Sequence, residues 1–168
     1  DWSALYLFED KGIVIEEAVM GVMLFNGTMC IGRLLGNRLG KHLTSKQVVV
    51  GGYLLGSIAM GLIVFLPGHA SMYTYLLLGI SLAMIVPNLF SAMGEQNVIP
   101  MTQAVATSTM LGYMGILMGP ALIGFIAHGT SLTVAFIVLT TLLVVSAGIG
   151  KYAYHLMSKD CGLSEEQI

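Results

Sequence analysis

Charged side chains are scarce in this sequence. Asp, Glu, Lys and Arg make up 10% of its 168 residues, against about 25% in a typical soluble domain. None of the four occurs between Lys46 and Glu95, and none between Glu95 and Lys151. A chain of this length lacks the interior to hide two such runs from water, so the solvent that accepts them is a lipid bilayer. Cysteine is nearly absent too. Cys30 falls in an apolar run and Cys161 in a polar tail, which excludes a disulfide framework and reads as two free thiols. Also missing are a nucleophilic triad, the ligand spacing of a metal hydrolase and the Gly-Lys-Ser/Thr ending of a phosphate loop. No enzyme, cofactor or bound metal is therefore expected. No basic patch interleaved with aromatics occurs and the net charge is −2, so nucleic acid is not an expected partner. The opening residues have neither a basic n-region nor a small-residue cleavage site, and do not read as a signal peptide.

What the chain has is apolar length. Apolar residues fill 56% of it and the mean hydropathy is +0.85. A helix needs roughly 20 mostly apolar residues to cross the hydrocarbon core. Five stretches qualify, at about 17–35, 47–66, 71–93, 107–127 and 132–154. Strand-like alternation is absent, which disfavours a membrane β-barrel. The expected fold is an all-α integral membrane bundle of five full transmembrane helices plus a partial first one at 1–8. Residues 1–157 form its membrane domain and 158–168 a polar tail. The opening DWSALYLF is apolar after its first residue but too short to span, and reads as the last two turns of a crossing helix that begins earlier.

Alternating the spans across the bilayer puts Arg33, Arg38, Lys41, Lys46, Lys151 and Lys159 on one side and Lys11 alone on the other. Basic residues near span ends mark the cytoplasmic side. The reading is a multi-pass protein of the cell (inner) membrane with its C-terminus in the cytoplasm and the loops around His69 and His128 facing outward.

The segment GRLLGNRLGKH, residues 32–42, gathers much of the positive charge at one cytoplasmic connection. Topology accounts for the charge. The four-residue spacing of Gly32, Gly36 and Gly40 predicts in addition a groove on one helix face, where a second backbone approaches closely. Gly52-x-x-x-Gly56 predicts another.

At these residues the chain resembles the major facilitator superfamily, which carries a loop G-x-L-a-D-R-x-G-R-K between two helices of each six-helix half. Leu35, Gly36, Asn37, Arg38, Leu39, Gly40 and Lys41 follow that pattern, with Arg33 in place of the first glycine and Asn37 in place of the acidic residue. Further on, TSTMLGYMGILMGPALIGFIAHGTSL, residues 107–132, is similar to the eleventh helix of such transporters, with its G-Y-x-G-x-L-x-G-P-x-x-I-G core. DWSALYL resembles the outer end of the seventh helix in sugar-permease-like members. In this register the chain is a C-terminal half, from the middle of the seventh helix through the twelfth. The resemblance implies secondary active transport of a small polar solute by alternating access, with sugar-like solutes and proton-coupled symport as finer expectations. It implies the N-terminal six-helix half as partner, and a role for the Gly36, Asn37, Arg38, Gly40 and Lys41 loop in steadying one gate conformation. A different class stays open: a structural membrane protein that binds partners through its glycine grooves and moves no solute. A homodimer of half-size chains is a further option.

Several polar residues are candidates for contact with solute or proton. If Asp10 marks the outer interface, Asp1 lies roughly 13 Å deep at 1.5 Å per residue, near the midplane of a core about 30 Å thick. An intramembrane carboxylate is a functional candidate by default; the alternative is a carboxylate beside a chain terminus. Trp2 and Tyr6 on the same segment could stack on a sugar-like ring or serve as packing and interfacial anchors. Asn26 near the centre of its span and Asn88 after Pro87 are buried amides that must find hydrogen bonds, from solute or from a neighbouring helix. Pro87 should kink its helix. Thr109 and Tyr113, four apart, share one helix face. Gly115, Gly119 and Gly124 with Pro120 read as packing and bending elements, and the twelve methionines as filler for irregular packing.

Overall fold

The computed structural model describes residues 2–39, 43–95 and 99–161, and every element among them is an α-helix. In chain order these are α1 (Trp2–Glu9), α2 (Ile15–Leu39), α3 (Ser45–Phe65), α4 (Gly68–Ala83), α5 (Ile85–Glu95), α6 (Met101–Gly129) and α7 (Leu132–Cys161). Five spans are long and apolar enough to cross a membrane: Ile15–Gly36, Ser45–Phe65, Gly68–Gly94, Met101–Gly129 and Leu132–Ser158. The molecule is thus the all-α membrane bundle its apolar runs announce, with α1 as the short first piece.

Local chemistry sets the helix bounds. Glu16 and Glu17 occupy the first turn of α2, where a helix end favours negative charge. Thr44 and Gln47 form a capping box at the start of α3: Thr44 Oγ1 accepts from the Gln47 amide at 3.3 Å, and Gln47 Oε1 accepts from the Thr44 amide at 3.2 Å. α6 begins at Met101, directly after Pro100, and so takes in polar Thr102 and Gln103 ahead of the apolar run. α7 runs past its apolar stretch to Cys161. α2 stays helical through Leu39, so it takes in both arginines of the basic segment.

The third span is one crossing made of two helices. Pro87 has no N–H to offer Ala83, and its ring crowds that residue's carbonyl. The helix breaks at Met84 (φ −97°, ψ −7°). The Asn88 backbone amide at 3.2 Å and its side-chain Nδ2 at 2.8 Å both donate to the Met84 carbonyl, stitching α5 onto the break.

Two glycine grooves clamp this joint. A Cβ added to Gly32 of α2 would stand 2.7 Å from the Ala83 Cβ, and one on Gly36 would overlap the Met84 thioether. From the other side, a Cβ on Gly52 of α3 would stand 2.7 Å from the Ser81 carbonyl oxygen, and one on Gly56 3.0 Å from Leu82 Cδ2. The close approach that the glycine spacing predicts is therefore made, and α4 fills both grooves. Gly40 lies outside the described residues.

The α1–α2, α3–α4 and α6–α7 turns meet at one end of the bundle. Lys11 Nζ donates to the Val64 and Leu66 carbonyls, at 2.6 and 2.9 Å, and lies 5.4 Å from the Tyr6 ring centroid. The single Lys on that side of the topology thus caps the C-terminus of α3, where a helix end attracts a cation. Thr133 Oγ1 donates to Asp10 Oδ2 at 2.8 Å, and the Glu17 carboxylate meets His69 Nε2 at 2.7 Å. This last pair is well exposed and contributes on the order of 0–1 kcal/mol. Lys11→Met should cost more, roughly 1.5–3 kcal/mol for lost charge-assisted bonds, read as a lower melting temperature of the purified protein. Lys11→Arg should recover most of it. An unchanged melting temperature in Lys11→Met would show that the α3 end is held by other means.

Beneath that end sits the main apolar core, in which Tyr6, Leu7, Ile63, Tyr75 and Phe136 are buried. The Tyr6 ring stacks on Phe136 with centroids 4.2 Å apart and planes 17° from parallel. Such a pair adds about 0.5–1.5 kcal/mol beyond area burial.

Candidate functional site along α6

α6 is the least enclosed of the spans. Ala104 is the only buried residue among its 29, and Met110, Leu111, Tyr113, Leu117 and Phe125 are all exposed. An apolar helix left this open needs lipid or another protein surface beside it. α6 packs on α7 and, at its first half, on α5. One side chain of α1 reaches across to it: the Trp2 indole Nε1 donates to the Pro120 carbonyl at 3.0 Å. The same indole lies on Gly124, where an added Cβ would stand 2.9 Å from Trp2 Cζ2. Gly124 and Pro120 thus serve packing, as their spacing suggests, while Gly115 and Gly119 have nothing within 4 Å of an added Cβ.

Because α6 stands off the bundle, three hollows run along it. The first, of about 430 Å³, lies between α5 and α6, with Leu89, Phe90, Ser108, Thr109 and Tyr113 in its lining. The second, of about 180 Å³, is bounded by Trp2, Ser3, Gly119, Pro120 and Phe136. The third, of about 370 Å³, opens at the turn end among Trp2, Glu9, Asp10, His128 and Ser131. Polarity rises from first to third. The α5–α6 hollow is almost wholly apolar although Ser108, Thr109 and Tyr113 stand in its lining, a surface suited to the ring face of a small solute. The turn-end hollow offers two carboxylates, an imidazole and an indole edge, groups that hold a polar or cationic moiety. Among the described residues no group of three His, Cys, Asp or Glu side chains is placed to hold a metal ion.

The structure brings together some of the residues singled out from sequence and separates others. Thr109 and Tyr113 share the α5–α6 hollow. Trp2 borders the other two. Tyr6 is wholly buried in the core, away from all three. Asn26 is exposed on α2, and its Nδ2 donates to the Val22 carbonyl at 2.8 Å. Asn88 is half-buried and bonded to Met84. Both amides therefore find partners four residues back along the chain, a satisfaction that the sequence reading did not weigh. Asp1, Gly40 and Lys41 lie outside the described residues. The backbone of Asn37 and Arg38 forms the last turn of α2, and Gly36 packs against Met84. Sequence reasoning missed Ser108, Phe90 and the grouping of Glu9 and Asp10 with His128. Ser108 was signalled by its neighbour Thr109; the last grouping joins residues more than a hundred positions apart and left no local signal.

Over 150 residues, 88% of its length, the chain is 41% identical to an uncharacterized MFS-type transporter of Yersinia pestis. It is 28% identical over 152 residues to the membrane protein MosC of Rhizobium meliloti, covering 89% of this chain. It is 27% identical over 142 residues, 82% of its length, to an uncharacterized transporter of Sinorhizobium fredii. The chain spans only 38%, 37% and 37% of these three relatives. No family model and no solved structure matches.

Proposed function

We propose that this chain, a homologue of MFS-type transporters spanning 38% of the length of one such relative, forms one wall of a secondary active transporter. A six-helix partner half supplies the other wall, and a small polar solute moves between them by alternating access. The solute is sugar-like and its movement is coupled to protons. The protein sits in the inner membrane with its C-terminus in the cytoplasm, following the basic bias of that side.

The observation that carries this reading is α6: a 29-residue apolar helix with a single buried residue, backed by hollows that hold Thr109, Tyr113 and Trp2. A helix so little enclosed by its own bundle, with a concavity beside it, suits a partner half across a solute path. The rival reading, a partner-binding scaffold without a solute, relied on open glycine grooves. Gly32, Gly36, Gly52 and Gly56 are occupied by this chain's own α4, which leaves those grooves nothing to bind.

The test is uptake into proteoliposomes holding the intact protein, with a panel of labelled sugars and polyols and an imposed pH gradient. At least one solute should accumulate when the gradient is applied. Thr109→Val and Tyr113→Phe should each lower that uptake about tenfold or more while protein levels stay normal; one hydrogen bond to a bound solute, at about 1.4 kcal/mol, is a factor of ten. Uptake that falls only in step with protein level would assign both residues to packing.

A further inference from the structure

Where α2 and α4 start, at the end of the bundle that holds the short turns, lies a hollow of about 450 Å³ whose lining includes Glu17, Met20, Met23, His69 and Met72. We propose that it is a binding site for one soft monovalent cation, Cu(I) or Ag(I), held by the three thioethers and the His69 imidazole.

Register is the first argument. α2 and α4 run in the same direction, since Gly21 meets Met72 and Gly32 meets Ala83. The contact of His69 Nε2 with Glu17 Oε2 at 2.7 Å sets their level at the start of both helices. Three residues further along each, about 4.5 Å at 1.5 Å per residue, come Met20 on α2 and Met72 on α4. Positions three apart share a helix face, so one sulphur follows each member of the pair, and Met23 comes one turn deeper. Packing agrees with this register: a Cβ added to Gly21, next to Met20, would stand 3.3 Å from Met72 Cγ. The second argument is the tautomer. A carboxylate only accepts, so the ring nitrogen bonded to Glu17 is the one that carries hydrogen. In the neutral imidazole this leaves the Nδ1 lone pair free, the arrangement in which a carboxylate orients a metal-binding histidine. An exposed pair of this kind adds little stability, but it decides which nitrogen faces a ligand. The third argument is donor chemistry. Thioethers are soft, neutral donors that select Cu(I) over hard cations. Among the described residues that line the hollow, one carboxylate and one imidazole stand beside three sulphurs, a set too poor in oxygen for calcium or magnesium. The carboxylate behind the imidazole balances a single positive charge. Met20 and Met23 are exposed to an arriving ion, whereas Met72 is buried and held against α2.

The experiment titrates the intact protein with Ag(I) in a calorimeter, its thiols blocked by N-ethylmaleimide so that the exposed Cys30 does not compete. The X-ray absorption spectrum of the Cu(I) complex, kept reduced by ascorbate, identifies the donor atoms. Ag(I) should bind, the copper should show sulphur and nitrogen neighbours, and Zn(II) should bind far more weakly. Met20→Leu with Met72→Leu keeps the apolar volume and should lower the Ag(I) affinity about tenfold or more. Met23→Leu, at an exposed position, should also lower it and serves where the double variant fails to fold. Glu17→Gln should weaken binding about tenfold through the imidazole that it orients. Met110→Leu, an exposed methionine of α6, should change nothing. Absence of Ag(I) binding, or wild-type affinity in both the double variant and Met23→Leu, would overturn the site. Equal loss in Met110→Leu would overturn it in favour of diffuse binding to thioethers, and Zn(II) binding as tight as Ag(I) would overturn the soft cation as ligand.

Discussion

Alanine at Gly52 should destabilise the bundle, while alanine at Gly61, on the same helix, should leave it unchanged or slightly firmer. Intrinsic helix preference favours both substitutions by up to about 1 kcal/mol, so propensity predicts the same sign at both positions. The surroundings differ. A Cβ at Gly61 meets nothing within 4 Å, whereas one at Gly52 stands 2.7 Å from the Ser81 carbonyl oxygen and 3.0 Å from Ile85 Cγ1. Ile85 can turn, but a backbone oxygen moves only with its helix. α4 cannot simply recoil, because its opposite side rests on Gly32 of α2, where an added Cβ would stand only 2.7 Å from Ala83. The joint is closed from both sides. Overpacking of this kind costs about 1–3 kcal/mol, enough to outweigh the helix preference, and Gly52→Leu should prevent assembly of the bundle. Thermal unfolding of the purified variants, scored beside membrane levels, decides the matter. If Gly52→Ala melts no lower than Gly61→Ala, α4 is not held in the groove as described.

That joint also marks how far the sequence could be read. Spans were legible because charge exclusion is a one-dimensional signal: the residues between Lys46 and Glu95 can only lie in lipid or in a core too large for this chain. The glycine spacing at 32 and 36 and at 52 and 56 was legible for a similar reason, since four-residue periodicity places small residues on one face whatever the partner. What spacing cannot carry is the partner's identity. Nothing in the α2 segment names α4 as the helix that fills its groove, or says that the same turn of α4 also fills the α3 groove. Helix ends were blurred for a different reason. Thr102 and Gln103 are polar enough to look like a linker, yet a first turn at the interface can be polar at no cost, so α6 starts at Met101. The buried role of Tyr6 was hidden as well. Its ring lies on Phe136, 130 positions away, and its neighbour in space Lys11 is committed to the end of α3.

Trp2 carries the second large effect, and it separates a solute-stacking indole from an anchoring one. Trp2→Ala should cost less than the roughly 3–5 kcal/mol of a fully buried aromatic truncation, because the ring is only partly buried. The loss should concentrate on α6, which has few other attachments: α7 along one side, α5 at its first half and this indole at Pro120 and Gly124. Trp2→Phe keeps an aromatic ring on Gly124 but gives up the bond to the Pro120 carbonyl. An anchoring role then predicts a smaller fall in stability, about 0.5–1.5 kcal/mol for one hydrogen bond, and uptake that falls through looser seating of α6. A stacking role predicts the opposite division: phenylalanine still offers a ring face to a solute, so stability holds and the change appears in KM. Hydrogen exchange along α6 gives the third coordinate, because an unpinned helix opens locally before the bundle melts. Faster exchange around Pro120 and Gly124 in Trp2→Phe, with KM unmoved, would fix Trp2 as the clasp that holds α6 in place, and the hollows on either side of it as spaces that open when it lets go.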